Sequence, residues 1–312
     1  MIKSRKDYLQ QYRLSVTNPK KFWEKYAKNF HWHSRFSEIL DWNFEEPKVE
    51  WFCDGKLNIT ENIFERNLSK LKNKIAIIWE PNDPKSTSIR ITYQELFEKV
   101  CAFSNALIQK GVKKGDRIII YMPMVPEAAI AMLSCARIGA IHSVVFAGFS
   151  ANSLADRIND CEAKLIITSD GNFRGDKIIP VKQIVDNAIV KAKTIESVIV
   201  LRRTNSEVKM LKGRDYWFHD LIQNISKNNK AEIMDSEDIL FILYTSGSTG
   251  KPKGIVHSCG GYMIYTQYTF ENVFQCQDDD IYWCTADVGW ITGHSYIVYG
   301  PLLSGATTLM FE

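Results

Sequence analysis

From about Lys74 onward, short β-branched runs alternate with amphipathic stretches. The runs are Ile75–Trp79, Arg117–Tyr121, Ile141–Phe146, Lys164–Thr168, Ser197–Leu201, Ile239–Tyr244, Ile281–Thr285 and Thr307–Phe311. Between two of them, Ser150 is a candidate N-cap, and Leu154, Ala155, Ile158 and Cys161 share one helical face behind it. A second stretch holds Ile184, Val185, Ala188 and Ile189. Strand–helix–strand alternation predicts an α/β fold with mixed, largely parallel β-sheets covered by helices on both faces. The polar stretch from Arg203 to Asp238 reads as an excursion. Asn228 and Asn229 form a loop there, and Trp217, Phe218 and Leu221 pack as a short helix.

The first 65 residues differ in texture. They are rich in tryptophan and lysine, with Phe22-Trp23, His31-Trp32-His33, Trp42 and Trp51-Phe52. Tyr8 and Tyr12, then Phe22, Trp23 and Tyr26, fall at helical spacing and predict short amphipathic helices. Residues 1–65 are therefore expected to form an aromatic cap on a larger domain spanning 66–312. An aromatic binding cage is the alternative.

Composition narrows the class. With 45% hydrophobic and 24% charged residues among 312, the chain has ordinary globular values and is not disordered. Lysine plus arginine less acids is 39 − 36 = +3, too near neutral for a nucleic-acid binder driven by counterion release. The seven cysteines are odd in number and no pair has C-x-x-C spacing, so reduced, buried thiols are expected rather than a disulfide scaffold or zinc ribbon. The N-terminus has no apolar core of a secretory signal. The stretch Ala128 to Phe149 carries Arg137 and His142 and breaks at Gly139, so it does not read as a membrane span. A cytoplasmic protein is expected, with no membrane or nucleic-acid partner and no bound metal of its own. Thr307 to Glu312 reads as a strand with no cap or polar tail after it, an expected mark of truncation.

The chemistry concentrates after the run Ile239–Leu243. There the sequence is Tyr244-Thr245-Ser246-Gly247-Ser248-Thr249-Gly250-Lys251-Pro252-Lys253-Gly254. Hydroxyls, glycines and two lysines at this density suit a polyphosphate. Glycines let backbone N–H groups approach the oxygens, hydroxyls donate hydrogen bonds and lysine supplies charge. It is not a Walker A loop, because Thr245 stands at the first glycine position and Pro252 follows Lys251.

This loop resembles the phosphate loop of the adenylate-forming enzymes. Thr92-Tyr93-Gln94-Glu95-Leu96 and Gly115-Asp116-Arg117 are similar to other parts of that superfamily. Thr285-Ala286-Asp287-Val288-Gly289-Trp290-Ile291-Thr292-Gly293-His294, Trp51-Phe52 with Gly55-Lys56-Leu57, and Phe146-Ala147-Gly148-Phe149-Ser150 resemble its acetyl-CoA synthetase branch. The resemblance runs over essentially the whole chain. It implies acetate activation by ATP, entering as its Mg²⁺ complex, to acetyl-AMP and pyrophosphate. Transfer to CoA would then give acetyl-CoA and AMP.

The resemblance also implies roles. Thr245, Ser246, Gly247, Ser248, Thr249, Gly250, Lys251 and Lys253 would hold the β- and γ-phosphates. Trp290, Ile291, Thr292 and Gly293 would border the acyl pocket. Ile291 stands where relatives carry valine, which trims the pocket by about one methylene, worth about 1–3 kcal/mol against a longer acid. Arg174, Gly175, Asp176 and Lys177, with Ala147, Gly148, Phe149 and Thr292, would hold CoA. Lys177 replaces an arginine, and Asp176 puts negative charge near phosphates, so weaker CoA affinity is expected. His257 and His294 are expected to hydrogen-bond structurally, since the attacking carboxylate needs no base. Family members run well past residue 312. The adenine- and ribose-binding segments, the pocket tryptophan and the catalytic lysine lie there, so no catalytic residue is assigned and the chain alone is expected to be inactive. Propionate or another short acid as substrate, and a non-catalytic remnant, are the alternatives.

Overall fold

The computed structural model describes residues 2–245 and 251–312. Two sheets organise it. Their strands, in chain order, are β1 (Ile75–Glu80), β2 (Ile89–Thr92), β3 (Arg117–Tyr121), β4 (Ile141–Val144), β5 (Leu165–Ser169), β6 (Ser197–Leu201), β7 (Asp215–Trp217), β8 (Ile239–Thr245), β9 (Lys253–Ser258), β10 (Ile281–Trp283) and β11 (Thr307–Phe311). The larger sheet has the order β7-β6-β5-β3-β4-β8-β9, and the smaller β10-β11-β1-β2. All neighbours in the larger sheet run parallel except β9, which folds back antiparallel on β8. In the smaller sheet only β2 is antiparallel. The α/β class with mixed, largely parallel sheets is the observed one.

The period of two explains why continuous apolar runs make this sheet. Ile118 and Ile120 of β3 face one core while Ile119 and Tyr121 face the other. β6 does the same, with Ile199 and Leu201 on the first side and Val198 and Val200 on the second. The first core is closed by α1 (Tyr93–Gln109) and α2 (Pro126–Arg137), the second by α3 (Ala151–Cys161) and α4 (Val181–Ile189). Each start has a local cause. Thr92 and Glu95 form a reciprocal capping box on α1. Pro126 occupies the first turn of α2, where its missing N–H costs nothing. The Ser150 hydroxyl accepts from the Ser153 N–H at 3.3 Å and starts α3.

Several elements differ from the sequence-based expectation. β4 stops at Val144 and β10 at Trp283, because Phe146 to Ser150 turns into α3 and the chain leaves the sheet after Trp283. β9 was hidden in the glycine–lysine stretch. It is an edge strand whose Ile255 and Val256 are both exposed, so no burial alternation marks it. Trp217 ends β7 rather than joining the short helix Phe218–Ile222.

The N-terminal region holds helices Arg5–Thr17 and Pro19–Ala27 and a hairpin of Glu38–Asn43 with Lys48–Cys53. The first helix buries nothing, and Tyr8 and Tyr12 stack on each other in solvent, against the expectation of packing. The second helix does pack. Phe22, Trp23 and Tyr26 meet Tyr268 of α5 (Cys259–Thr269), at ring distances of 5.4, 5.4 and 4.5 Å. All seven cysteines are free. Four are buried as expected, whereas Cys53, Cys276 and Cys284 are half-exposed. Among the described residues no helix is long and apolar enough to cross a membrane.

Candidate active site

The candidate site residues fall into three groups: the β8–β9 hairpin, the segment between β10 and β11, and a small hairpin after β5 with the turn before α3. β8 carries Thr245 to its end, and β9 returns with Lys253 directly opposite Thr245. Ser246, Gly247, Ser248, Thr249 and Gly250 lie outside the described residues. Lys251, Lys253 and Thr245 are exposed, and among the described residues neither lysine makes an ion pair. The hairpin base is anchored from below. The Tyr244 hydroxyl donates to Asp160 Oδ2 at 2.7 Å, and burial beside that carboxylate pushes its pKa upward. Arg157 lies over the Phe149 and Tyr244 rings at 4.7 and 5.5 Å. Gly254 packs closely, since a Cβ there would fall 2.9 Å from Ile242 Cγ2 and force that side chain to shift.

The second group follows β10. Trp290, Ile291 and Thr292 are exposed, and Gly293 is buried. A Cβ on Gly293 would stand 2.1 Å from the Asp287 carbonyl oxygen, so only glycine lets residues 287–293 fold back on themselves. Ile291 lines a mostly apolar cavity of about 390 Å³ with Val256, His257, Tyr262, Trp23 and Trp51 among its walls. Trp290 and Thr292 do not line it. The tryptophans reach it from the N-terminal region. From sequence, a binding role for both was only the alternative of an aromatic cage, and nothing joined them to Ile291.

His257 forms part of that wall and stacks on Phe241 at 4.4 Å. Among the described residues its ring makes no hydrogen bond, so packing rather than the expected hydrogen bond holds it. Burial lowers its pKa. His294 is fully buried, with Nδ1 3.3 Å from the Trp290 carbonyl and its pKa lowered by burial to about 4. The ring is neutral at pH 7.

The third group meets in a crevice of about 210 Å³. Ala147 and Gly148 from the turn before α3 face Arg174 and Gly175, with Asp287 and Asn82 beside them. Arg174 and Gly175 belong to a hairpin of Asn172–Arg174 with Lys177–Ile179. Gly175 has φ +58, a value glycine adopts freely. Asn82 clamps this turn. Its Nδ2 donates to the Gly175 carbonyl at 2.9 Å, and its Oδ1 accepts from the Gly175 N–H at 3.0 Å. Sequence reasoning missed Asn82, which shows only as a turn residue between Pro81 and Asp83. Asp287 accepts from the Gly289 N–H at 2.6 Å, and burial raises its pKa. Asp176 and Lys177 project from the exposed hairpin tip, and neither they, Phe149 nor Thr292 line the crevice. A guanidinium at the rim of a narrow slot, over a glycine turn, can hold a phosphate bidentately while a thin chain threads inward.

The family model for "AMP-binding enzyme" matches residues 64–312. The chain belongs to that family. A model for the "Acetyl-coenzyme A synthetase N-terminus" matches residues 8–63. The chain is 52% identical over 313 residues to an acetyl-coenzyme A synthetase of Xanthomonas campestris pv. campestris (strain 8004), covering 99% of this chain and 48% of that one. A Mesorhizobium japonicum acetyl-coenzyme A synthetase is 52% identical over 310 residues, with 98% and 48% covered. The chain spans about half the length of the curated relatives it matches. An acetoacetyl-CoA synthetase from Streptomyces lividans shares the fold, with a TM-score of 0.88 at 24% identity over 96% of this chain and 45% of that one.

Proposed function

We propose that this chain takes part in AMP-forming acetate–CoA ligation. Acetate attacks the α-phosphorus of ATP, forming acetyl-AMP and releasing pyrophosphate. The CoA thiol then attacks the acyl carbon and AMP leaves. Residues 1–65 serve as a cap on the nucleotide-binding part, 66–312. The attacking carboxylate is already an anion, so protein groups act by positioning and charge neutralisation rather than as a base. Thr245 through Lys253 face the β- and γ-phosphates of the ATP·Mg²⁺ substrate, and Lys251 and Lys253 offset the charge building on pyrophosphate. Ile291 limits the acyl group, and Gly293 lets the segment that carries it fold back on itself. Arg174 and the Ala147–Gly148 turn receive CoA, with Lys177 a weaker phosphate partner than arginine.

The observation that carries this reading is the single crevice shared by Ala147, Gly148, Arg174 and Gly175, which lie far apart in sequence. It adjoins the Asp287 to Gly293 segment, since a Cβ on Gly289 would touch the Phe146 backbone nitrogen at 3.0 Å. The 52% identity to acetyl-coenzyme A synthetases supports the same chemistry. The test is exchange of label between pyrophosphate and ATP by the protein purified from its own source, with acetate, with propionate and with neither. Acetate-dependent exchange is expected of that protein, and none of residues 1–312 alone. Preference for propionate would move the assignment to the longer acid. No exchange from the source protein, melting cooperatively, would overturn it.

A further inference from the structure

The six histidines of the chain fall into distinct settings. His142 and His294 are buried, His257 lines the apolar cavity, and His219 stands apart on the surface. His31 and His33 are surface residues that point to one place. They flank Trp32 in an extended segment, where alternate side chains share a side. The third member is Glu61, on the short helix Ile59–Ile63. His33 Nε2 lies 2.6 Å from Glu61 Oε2, and the His31 and His33 ring centres are 5.2 Å apart. One ligand atom from each of the three lies within 4.8 Å of the other two.

The backbone beneath these side chains is fixed at every step. The His31 N–H donates to Asn62 Oδ1 at 2.8 Å, and Asn62 Nδ2 donates back to the His31 carbonyl at 3.0 Å. Asn62 is fully buried and adjoins Glu61 in sequence, so one residue sets both sides of the cluster. The His33 N–H donates to the Lys56 carbonyl at 2.8 Å, and the Lys56 N–H to the Ser34 carbonyl at 2.8 Å. Trp32 points the other way. Its Nε1 donates to the Ala27 carbonyl at 2.9 Å, and its ring packs on Phe36 and Phe52 at 5.0 and 5.7 Å. Gly55 lies under that ring, with no room for a Cβ, which would meet Trp32 at 2.6 Å. The tryptophan is the anchor that holds both imidazoles outward.

We propose that His31, His33 and Glu61 form a zinc site. Two imidazoles and one carboxylate suit Zn²⁺ and its first-row neighbours, whereas Mg²⁺ prefers oxygen ligands. Ligand distances of about 2.0–2.2 Å place ligand atoms roughly 3.4 Å apart around a tetrahedral ion. The three ligand atoms already lie within 4.8 Å of one another, so side-chain rotation alone reaches that spacing, with the His33–Glu61 contact opening from 2.6 Å and the His31 ring turning inward. Water takes the fourth position on the exposed side. The bound ion ties the segment after helix Pro19–Ala27 to helix Ile59–Ile63, and so adds stability by binding only the folded state. The site is independent of the acetate reading and uses none of its residues.

The test is titration of the 312-residue chain with Co²⁺, read by visible absorption, then displacement by Zn²⁺. A saturable site is expected, with ligand-field bands and no thiolate charge-transfer band. Zn²⁺ raises the melting temperature of the wild type. His33→Ala and Glu61→Gln each weaken binding by at least about tenfold and abolish the thermal shift. Both changes lie at the surface, and melting in EDTA checks that the variants fold. Equal binding by wild type and variants, a thiolate band that puts the ion on cysteines, or no saturable binding would each overturn the assignment.

Discussion

On the proposed reading, Ile291 sets the size of the acyl site. It is 42% exposed and lines the aromatic cavity, so its side chain limits what enters without supporting the core. Shortening it gives room for one more methylene, and a hydrophobic pocket discriminates a methylene by about 1–3 kcal/mol. Ile291→Ala is therefore expected to move the ratio of kcat/KM for propionate over acetate upward by about 10–200-fold. Stability should stay within about 0.5 kcal/mol, as for other surface changes. Steady-state kinetics with both acids, beside a urea melt, reads both numbers. An unchanged ratio would remove Ile291 from the acyl pocket. At this scale the sequence was partly legible. Arg174 and Ala147 were placed by motif and meet in one crevice. Asn82, which clamps their hairpin, was not, because a two-point amide clamp across 93 residues leaves no local pattern.

At the scale of elements, the apolar runs that became β1, β3, β6, β8 and β11 were readable because a strand buried on both faces has few other ways to satisfy its residues. The edge strand β9 was not, since exposed Ile255 and Val256 sit among glycine and lysine. The segment His294–Tyr299 is wound as a π-helix, a form with no simple sequence period, and it carries a buried imidazole. His294 Nε2 has no partner among the described residues, which disfavours a charged ring in the fold. Unfolded histidine titrates near 6.5, whereas His294 titrates at about 4 in the fold. As pH falls below about 6.5, the unfolded chain takes up the proton and the folded one does not, so stability is lost. The loss from this group stops near pH 4 and totals about 3 kcal/mol. His142, also lowered by burial, acts in the same direction. Urea melts at pH 7 and 4.5 should show the drop, and His294→Phe should reduce it. An identical drop in that variant would assign the pH dependence elsewhere.

Over the whole molecule, the question is whether the N-terminal cap is a separate unit. The division at about residue 65 was drawn from texture, but buried polar contacts cross it. Asn58, fully buried, donates through Nδ2 to the carbonyls of Ala136 and Glu232 at 3.1 and 2.9 Å, and its Oδ1 accepts from the Thr60 N–H at 2.9 Å. Arg137, buried at the end of α2, reaches back to Thr60 and to Glu65. Such groups are costly to leave unpaired, because burial without a partner forfeits hydration with nothing in exchange. The cap and the sheet domain should therefore unfold in one transition. Tryptophan fluorescence weights the cap, which holds Trp23, Trp32, Trp42 and Trp51 of the eight, while far-ultraviolet circular dichroism weights the whole chain. Their urea midpoints should coincide. Asn58→Ala removes a buried donor to two carbonyls and the cap of a helix start, and should cost about 2–4 kcal/mol. The informative outcome is how that cost appears. If the two curves shift together, the contacts across residue 65 bind the cap into the cooperative unit. If fluorescence moves first and circular dichroism stays, the cap is an independently melting layer. The cavity it shares with Ile291 would then open and close with it.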